Sequence, residues 1–165
     1  MKFLILFLTV LCVNAQSLDL NKVRALYKEA AHDKTKVEEL SSMLASVTEK
    51  SSSELLAYKG ASIALQSKKA KAIKTKKKLF IEGSSLVELS IKNNPNNIET
   101  RFIRLGIQEN TPKLLKYKGE IPNDKAYILK HLKNVKSKQL QADIKDYILQ
   151  SKVFSDQEKA VILGA

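Results

Sequence analysis

Apolar residues recur at spacings of three and four along nearly the whole chain, separated by short polar joints, and no stretch alternates with the period of two that a strand requires. The spacing predicts a first helix from about Asn21 to His32 with Val23, Leu26, Tyr27 and Ala30 on one face, and a second from about Lys34 to Lys50 carrying Val37, Leu40, Leu44 and Val47. Ser51 to Ser53 caps a third, with Glu54 in the capping-box position after Ser51. This helix, from about Glu54 to Lys69, sets Gly60, Ala61 and Ala64 where a neighbour can approach closely. A fourth, from about Lys71 to Ile91, carries Ile73, Phe80, Val87 and Ile91 on its stripe.

Asn93 to Asn97 is the clearest break, because proline disfavours helix at the residue before it and asparagine favours caps and turns. A helix restarts near Ile98 and runs to about Gln108, with Ile98, Phe102 and Leu105 inward. Thr111-Pro112 reads as an N-cap and first helical position for a short segment through Leu114 and Leu115, closed by Gly119 and Pro122. Asn123 or Asp124 then caps a helix with Tyr127, Ile128 and Leu132; Ser137 caps one with Leu140, Ile144, Tyr147 and Ile148; Ser155 with Glu158 forms a last capping box. The expected fold class is all-α: a helical bundle or short tetratricopeptide-like solenoid of about eight or nine helices.

The first fifteen residues change the picture. Lys2, an apolar run from Phe3 to Val13 and the small residue Ala15 read as a secretory signal peptide over residues 1–15, followed by a single helical domain over residues 16–165. A lipoprotein acylated at Cys12 is the competing reading, with Leu11 where a small residue is expected. The apolar run is shorter than the roughly 20 residues a membrane span needs, and no later segment approaches that length. The expected location is the periplasm or the medium. Cleavage after Ala15 removes Cys12, the chain's one cysteine, and with it disulfide, thiol and cysteine-metal chemistry.

The net charge is +12, and of 29 basic residues only Arg24, Arg101 and Arg104 are arginine. Scattered lysine without arginine forks or aromatic platforms speaks against nucleic acid and allows attraction to lipid headgroups or acidic polysaccharide. Lys68, Lys69, Lys71, Lys74, Lys76, Lys77 and Lys78 fall within eleven residues but do not keep to one helix face. They read as a solvated helix start or as an anion-binding patch.

Arg101 and Arg104, at helical spacing with Glu99, Gln108 and Asn110 nearby, read either as a carboxylate- or phosphate-recognising cluster or as a network tying their helix to its neighbours. The candidate binding residues are therefore Arg101, Arg104, Gln108, Lys74, Lys76, Lys77 and Lys78. His32 and His131 are the only histidines and lie far apart; no His-Glu-x-x-His, paired zinc spacing, nucleophile elbow or glycine-rich phosphate loop occurs. No catalytic residue, cofactor or metal is expected.

Ala57-Tyr58-Lys59-Gly60-Ala61 together with the helix, Asn94-Pro95-Asn96-Asn97, helix arrangement resembles the junction between tetratricopeptide repeats, with a spacing about one residue longer from Pro95 to Gly106 and a break at Thr111-Pro112. The run Asn97-x-Glu99-x-Arg101-Phe102-x-Arg104-Leu105-x-Ile107-Gln108-x-Asn110-x-Pro112 is similar to one in a group of small exported bacterial proteins of unknown function. The resemblance covers roughly residues 54–133 and implies an all-helical, tetratricopeptide-like domain with no chemistry attached. The expected function is a non-enzymatic scaffold binding another protein; the alternative is a lysine-rich protein that binds anionic headgroups or acidic glycans.

Overall fold

The computed structural model describes residues 18–164, so the leader expected at residues 1–15 lies outside the described residues. Eight α-helices follow one another: α1 Leu20–His32, α2 Lys36–Met43, α3 Ser53–Lys69, α4 Ile73–Asn93, α5 Ile98–Glu109, α6 Ile121–His131, α7 Lys138–Gln150 and α8 Asp156–Leu163. Short 3-10 turns occupy Lys113–Leu115 and Leu132–Asn134, and no strand occurs among the described residues. None of these helices is long and apolar enough to cross a membrane.

Local chemistry sets most of the boundaries. Asp19, Ser52, Asn97, Ser137 and Ser155 each accept a hydrogen bond from a first-turn amide, and Ser155 and Glu158 form the reciprocal capping box. Four boundaries differ from the sequence expectation. The second helix stops at Met43 rather than near Lys50, because tight turns from Ala45 to Ser42 and from Val47 to Leu44 take over. Lys59 of α3 donates to the carbonyls of Ala45 and Val47, and both Leu44 and Val47 stay buried. Glu54 does not close a capping box; it accepts from the Asn97 amide. Thr111 is no cap either, since its hydroxyl donates back to the Ile107 carbonyl at 2.7 Å. Pro122 opens α6 instead of ending the preceding segment, which puts Asp124 inside the helix rather than at its cap.

Most buried apolar side chains fall into two clusters; Leu56, Ala64 and Phe80 are buried outside them. One gathers Val23, Leu26, Val37, Leu40, Tyr58 and Val87; the other gathers Ile128, Leu132, Leu140, Ile144, Ile148 and Phe154. The fifth helix belongs to both, with Ile103 in the first and Leu105 in the second. The tightest helix pair is α3 with α4. A Cβ added at Gly83 would lie 2.4 Å from the Gly60 carbonyl oxygen, and one at Gly60 would lie 2.5 Å from the Gly83 carbonyl oxygen, so the two backbones touch. Past that crossing α4 overhangs: its residues 73–78, like 71 and 72 before them, are all exposed. Ile73, expected on the buried stripe, is 84% exposed because its helix there has outrun the core.

Candidate functional site

Three charged residues on α5 stand five positions apart, at Glu99, Arg104 and Glu109. At about 100° per residue each step turns about 140°, so the three project to three sides of the helix. Glu99, 3% exposed, receives the forked guanidinium of Arg24 from α1 at 2.7 Å on each oxygen, plus the Tyr58 hydroxyl of α3 at 2.7 Å. Arg104 donates Nε and Nη2 to the two carboxylate oxygens of Asp124 at 2.7 and 2.8 Å, and Nη1 to Glu88 of α4 at 2.7 Å. Glu109 accepts from the Tyr147 hydroxyl of α7, from Ser151 Oγ at 2.9 Å and from the Lys152 amide at 2.8 Å.

Arg101 completes the middle cluster. Its Nη1 donates to Asp124 at 3.0 Å, its Nε and Nη2 reach the Pro95 carbonyl at 3.1 and 2.9 Å, and its guanidinium lies 4.4 Å from the centre of the Tyr127 ring. Glu88 also takes the Tyr117 hydroxyl at 2.6 Å. Two arginines thus face Asp124 and Glu88, with Glu120 a further 3.7 Å from Arg104 Nη2, the condition under which charges can be buried at tolerable cost.

The electrostatics follow. Burial opposes the charge on Arg104, but its hydrogen bond and Coulomb attraction to Asp124 win and hold its pKa up. Burial raises the Glu109 carboxyl, yet the hydrogen bonds from Tyr147, Lys152 and Ser151 and the charge of Lys118 outweigh it and leave the group below its ordinary value of 4.5. The hydroxyls of Tyr58, Tyr117 and Tyr147 are pushed up, first by burial and then by the carboxylate each donates to.

Of the residues singled out from sequence, Arg104 has every guanidinium nitrogen engaged within the chain, and Arg101 is occupied on both edges and one face. Gln108 is 1% exposed, with its Oε1 unpartnered, and does not line the groove described next. These three do not form one open site. Lys74, Lys76, Lys77 and Lys78 are all exposed, and only Lys76 and Lys77 turn toward a concavity.

That concavity is an open groove of about 1260 Å³. Ala61, Ala64 and Leu65 of α3 and Phe102, Gly106 and Ile107 of α5 contribute to its lining. The overhanging part of α4 supplies Ile73, Lys76, Lys77, Phe80 and Ile81; the 3-10 turn supplies Leu114 and Leu115; Tyr27 of α1 and Leu140 and Tyr147 of α7 face them. Five large apolar side chains are left exposed among the described residues, and three of them, Ile73, Ile81 and Leu114, line this groove.

The charges are unevenly placed. The side chains of Lys68, Lys76, Lys77 and Lys116 line the groove and have neither an ion pair nor a hydrogen bond among the described residues, whereas Lys28 at the α1 side is held by Asp143 of α7 at 2.8 Å. Sequence reasoning missed the groove because Ile73 and Phe80 share one helix stripe, and nothing local tells which of them lies beyond the neighbouring helix. No family model, no curated protein and no solved structure matches the chain.

Proposed function

We propose that the chain is a non-enzymatic exported scaffold that binds another protein in the groove between the α3–α4 pair and α5, the 3-10 turn and α7. The carrying observation is the gathering of Ile73, Ile81 and Leu114, each at least half exposed, in one concavity. Soluble chains scatter such residues singly, and contiguous apolar surface rimmed by charge marks an interaction site. The arginine and glutamate clusters hold the walls of that groove in register, and Arg24 and Glu109 among them also line it. The tetratricopeptide-like arrangement around Pro95 and the absence of catalytic motifs in the sequence support the same reading.

The test is differential capture from the native envelope fraction, with tagged wild type beside an Ile81→Asp/Leu114→Asp variant of unchanged helicity. A protein retained by wild type and lost by the variant is the expected result. Equal retention by both would remove the groove from the interface. Export is tested by the mass of the protein recovered from its native cells, which should begin at Gln16.

One observation favours a second reading, in which the lysines engage anionic lipid headgroups. Residues 71–78 are exposed without interruption, and the lysines among them form no ion pair among the described residues. Each lysine near an anionic surface contributes about 1 kcal/mol. Co-sedimentation with anionic vesicles should then fall steeply with salt, and no binding at low salt rejects this reading.

A further inference from the structure

We infer that the occupant of the groove is an amphipathic helix of about three turns whose polar flank is acidic; this rests on the groove's being a protein-binding site. The first argument is size. An α-helix is about 10 Å across and rises about 1.5 Å per residue, so roughly eleven residues fill the volume of the groove.

The second is backbone chemistry. Helices and a 3-10 turn supply the groove's apolar wall residues, and a helix satisfies its interior amide and carbonyl groups within itself. No strand edge occurs among the described residues to pair with an extended peptide. An extended segment pressed on Ala61, Ala64 and Ile107 would bury unpartnered N–H and C=O groups, whereas a helix brings its own hydrogen bonds with it.

The third is charge. Lys68, Lys76 and Lys77 stand on the α3–α4 side without carboxylate partners among the described residues, interleaved with Ile73, Phe80 and Ile81. On the opposite side Asp143 and Asp146 face Lys28. A docked helix therefore sets Asp or Glu against α4 and its leucine-type stripe on the floor. A basic helix would meet the uncompensated Lys76 and Lys77 on the α4 wall. Lys74 and Lys78 lie outside the groove and take no part.

The test uses the mature chain and three synthetic 14-residue peptides: an amphipathic leucine–glutamate helix, the same helix with lysine for glutamate, and the glutamate peptide interrupted by proline. Affinity is read by titration calorimetry at low salt, and the site by amide and methyl shift changes at Ile73, Ile107 and Leu114. The glutamate helix is expected to bind in the groove at least tenfold more tightly than either relative. Lys68→Glu/Lys76→Glu/Lys77→Glu should weaken it at least tenfold, and the equal charge change Lys71→Glu/Lys74→Glu/Lys78→Glu should weaken it less than threefold. Circular dichroism verifies that both variants remain helical.

Binding of the lysine helix or of the proline-interrupted peptide as tightly as the glutamate helix overturns the inference while leaving a protein-binding groove in place. Equal weakening by the two triple variants also overturns it, because a diffuse field rather than this wall would then be responsible. Failure of every peptide to bind overturns the inference, and if oleate or phosphatidylglycerol vesicles then shift the same groove signals the protein-binding reading falls with it.

Discussion

Asp124 shows how much can hang on one side chain. It is fully buried, and its two oxygens receive Arg104 twice and Arg101 once. Removing its charge strands the guanidinium of Arg104, itself 5% exposed, without its main counter-charge. Breaking one partner of a buried pair typically costs about 3–5 kcal/mol. Asp124→Asn is therefore expected to lower the urea midpoint of unfolding by an amount equivalent to about 3 kcal/mol. Arg104→Met/Asp124→Leu should cost less than the two single changes added together, because contacting charges couple. Additive losses would show that the pair acts as two independent residues. The sequence marked Arg101 and Arg104 as a cluster but offered Asn123 or Asp124 as a helix cap. Its true role depends on where Pro122 starts α6, a boundary that Gly119 and Pro122 together leave open.

Among the elements, the α3–α4 pair is the most closely fitted. Gly83→Ala would set a methyl 2.4 Å from the Gly60 carbonyl oxygen and 2.7 Å from the Ala64 amide nitrogen, both of them backbone atoms that cannot swing aside. Overpacking of this kind costs about 1–3 kcal/mol, and here it should also pry the overhang of α4 away from α3. Gly106→Ala is the contrasting case. Nothing lies within 4 Å of its added Cβ, so better helix propensity should stabilise the protein by about 0.5–1 kcal/mol. Thermal unfolding followed by circular dichroism separates the two; a destabilised Gly106→Ala would contradict the open surroundings of that position. The small residues Gly60, Ala61 and Ala64 already announced a close approach in the sequence. Gly83 as the partner was not readable, since it lies 23 positions from Gly60 across a turn.

For the molecule as a whole, pH reports on the same joints. Tyr58, Tyr117 and Tyr147 donate to Glu99, Glu88 and Glu109, and all three hydroxyls are held above their ordinary 10.0; burial alone pushes Tyr27 up to about 12. A group with a raised folded pKa contributes stability that is complete below its unfolded value and is lost as pH climbs past it. The melting temperature should accordingly hold up to about pH 10 and fall above it, with tyrosinate absorbance at 295 nm rising together with loss of helical signal. Ionisation of these tyrosines near pH 10 in a chain that stays helical would refute their burial against carboxylates.

At the acid end the sign reverses. Glu109, depressed below 4.5, stabilises fully above that value and loses its contribution as pH falls from there through its lower folded pKa. Glu109→Gln should flatten this acid limb of the stability curve and loosen α7 from α5, visible as faster amide exchange in α7.

What the sequence by itself determined is whatever local interactions decide. The all-helical class, the break at Pro95 and the caps at Asn97, Ser137 and Ser155 rest on contacts within about four residues, and those are written in order along the chain. Tertiary structure alone decided the rest. The Arg24–Glu99 pair spans 75 positions, Arg104–Asp124 spans 20 and Ser151–Glu109 spans 42. The groove exists because α4 runs past the end of the core, leaving Ile73 exposed while Phe80, seven positions on in the same stripe, is buried. Helical period assigns both residues to one face; only the length and position of the neighbouring helices decide which part of that face is covered and which is left exposed.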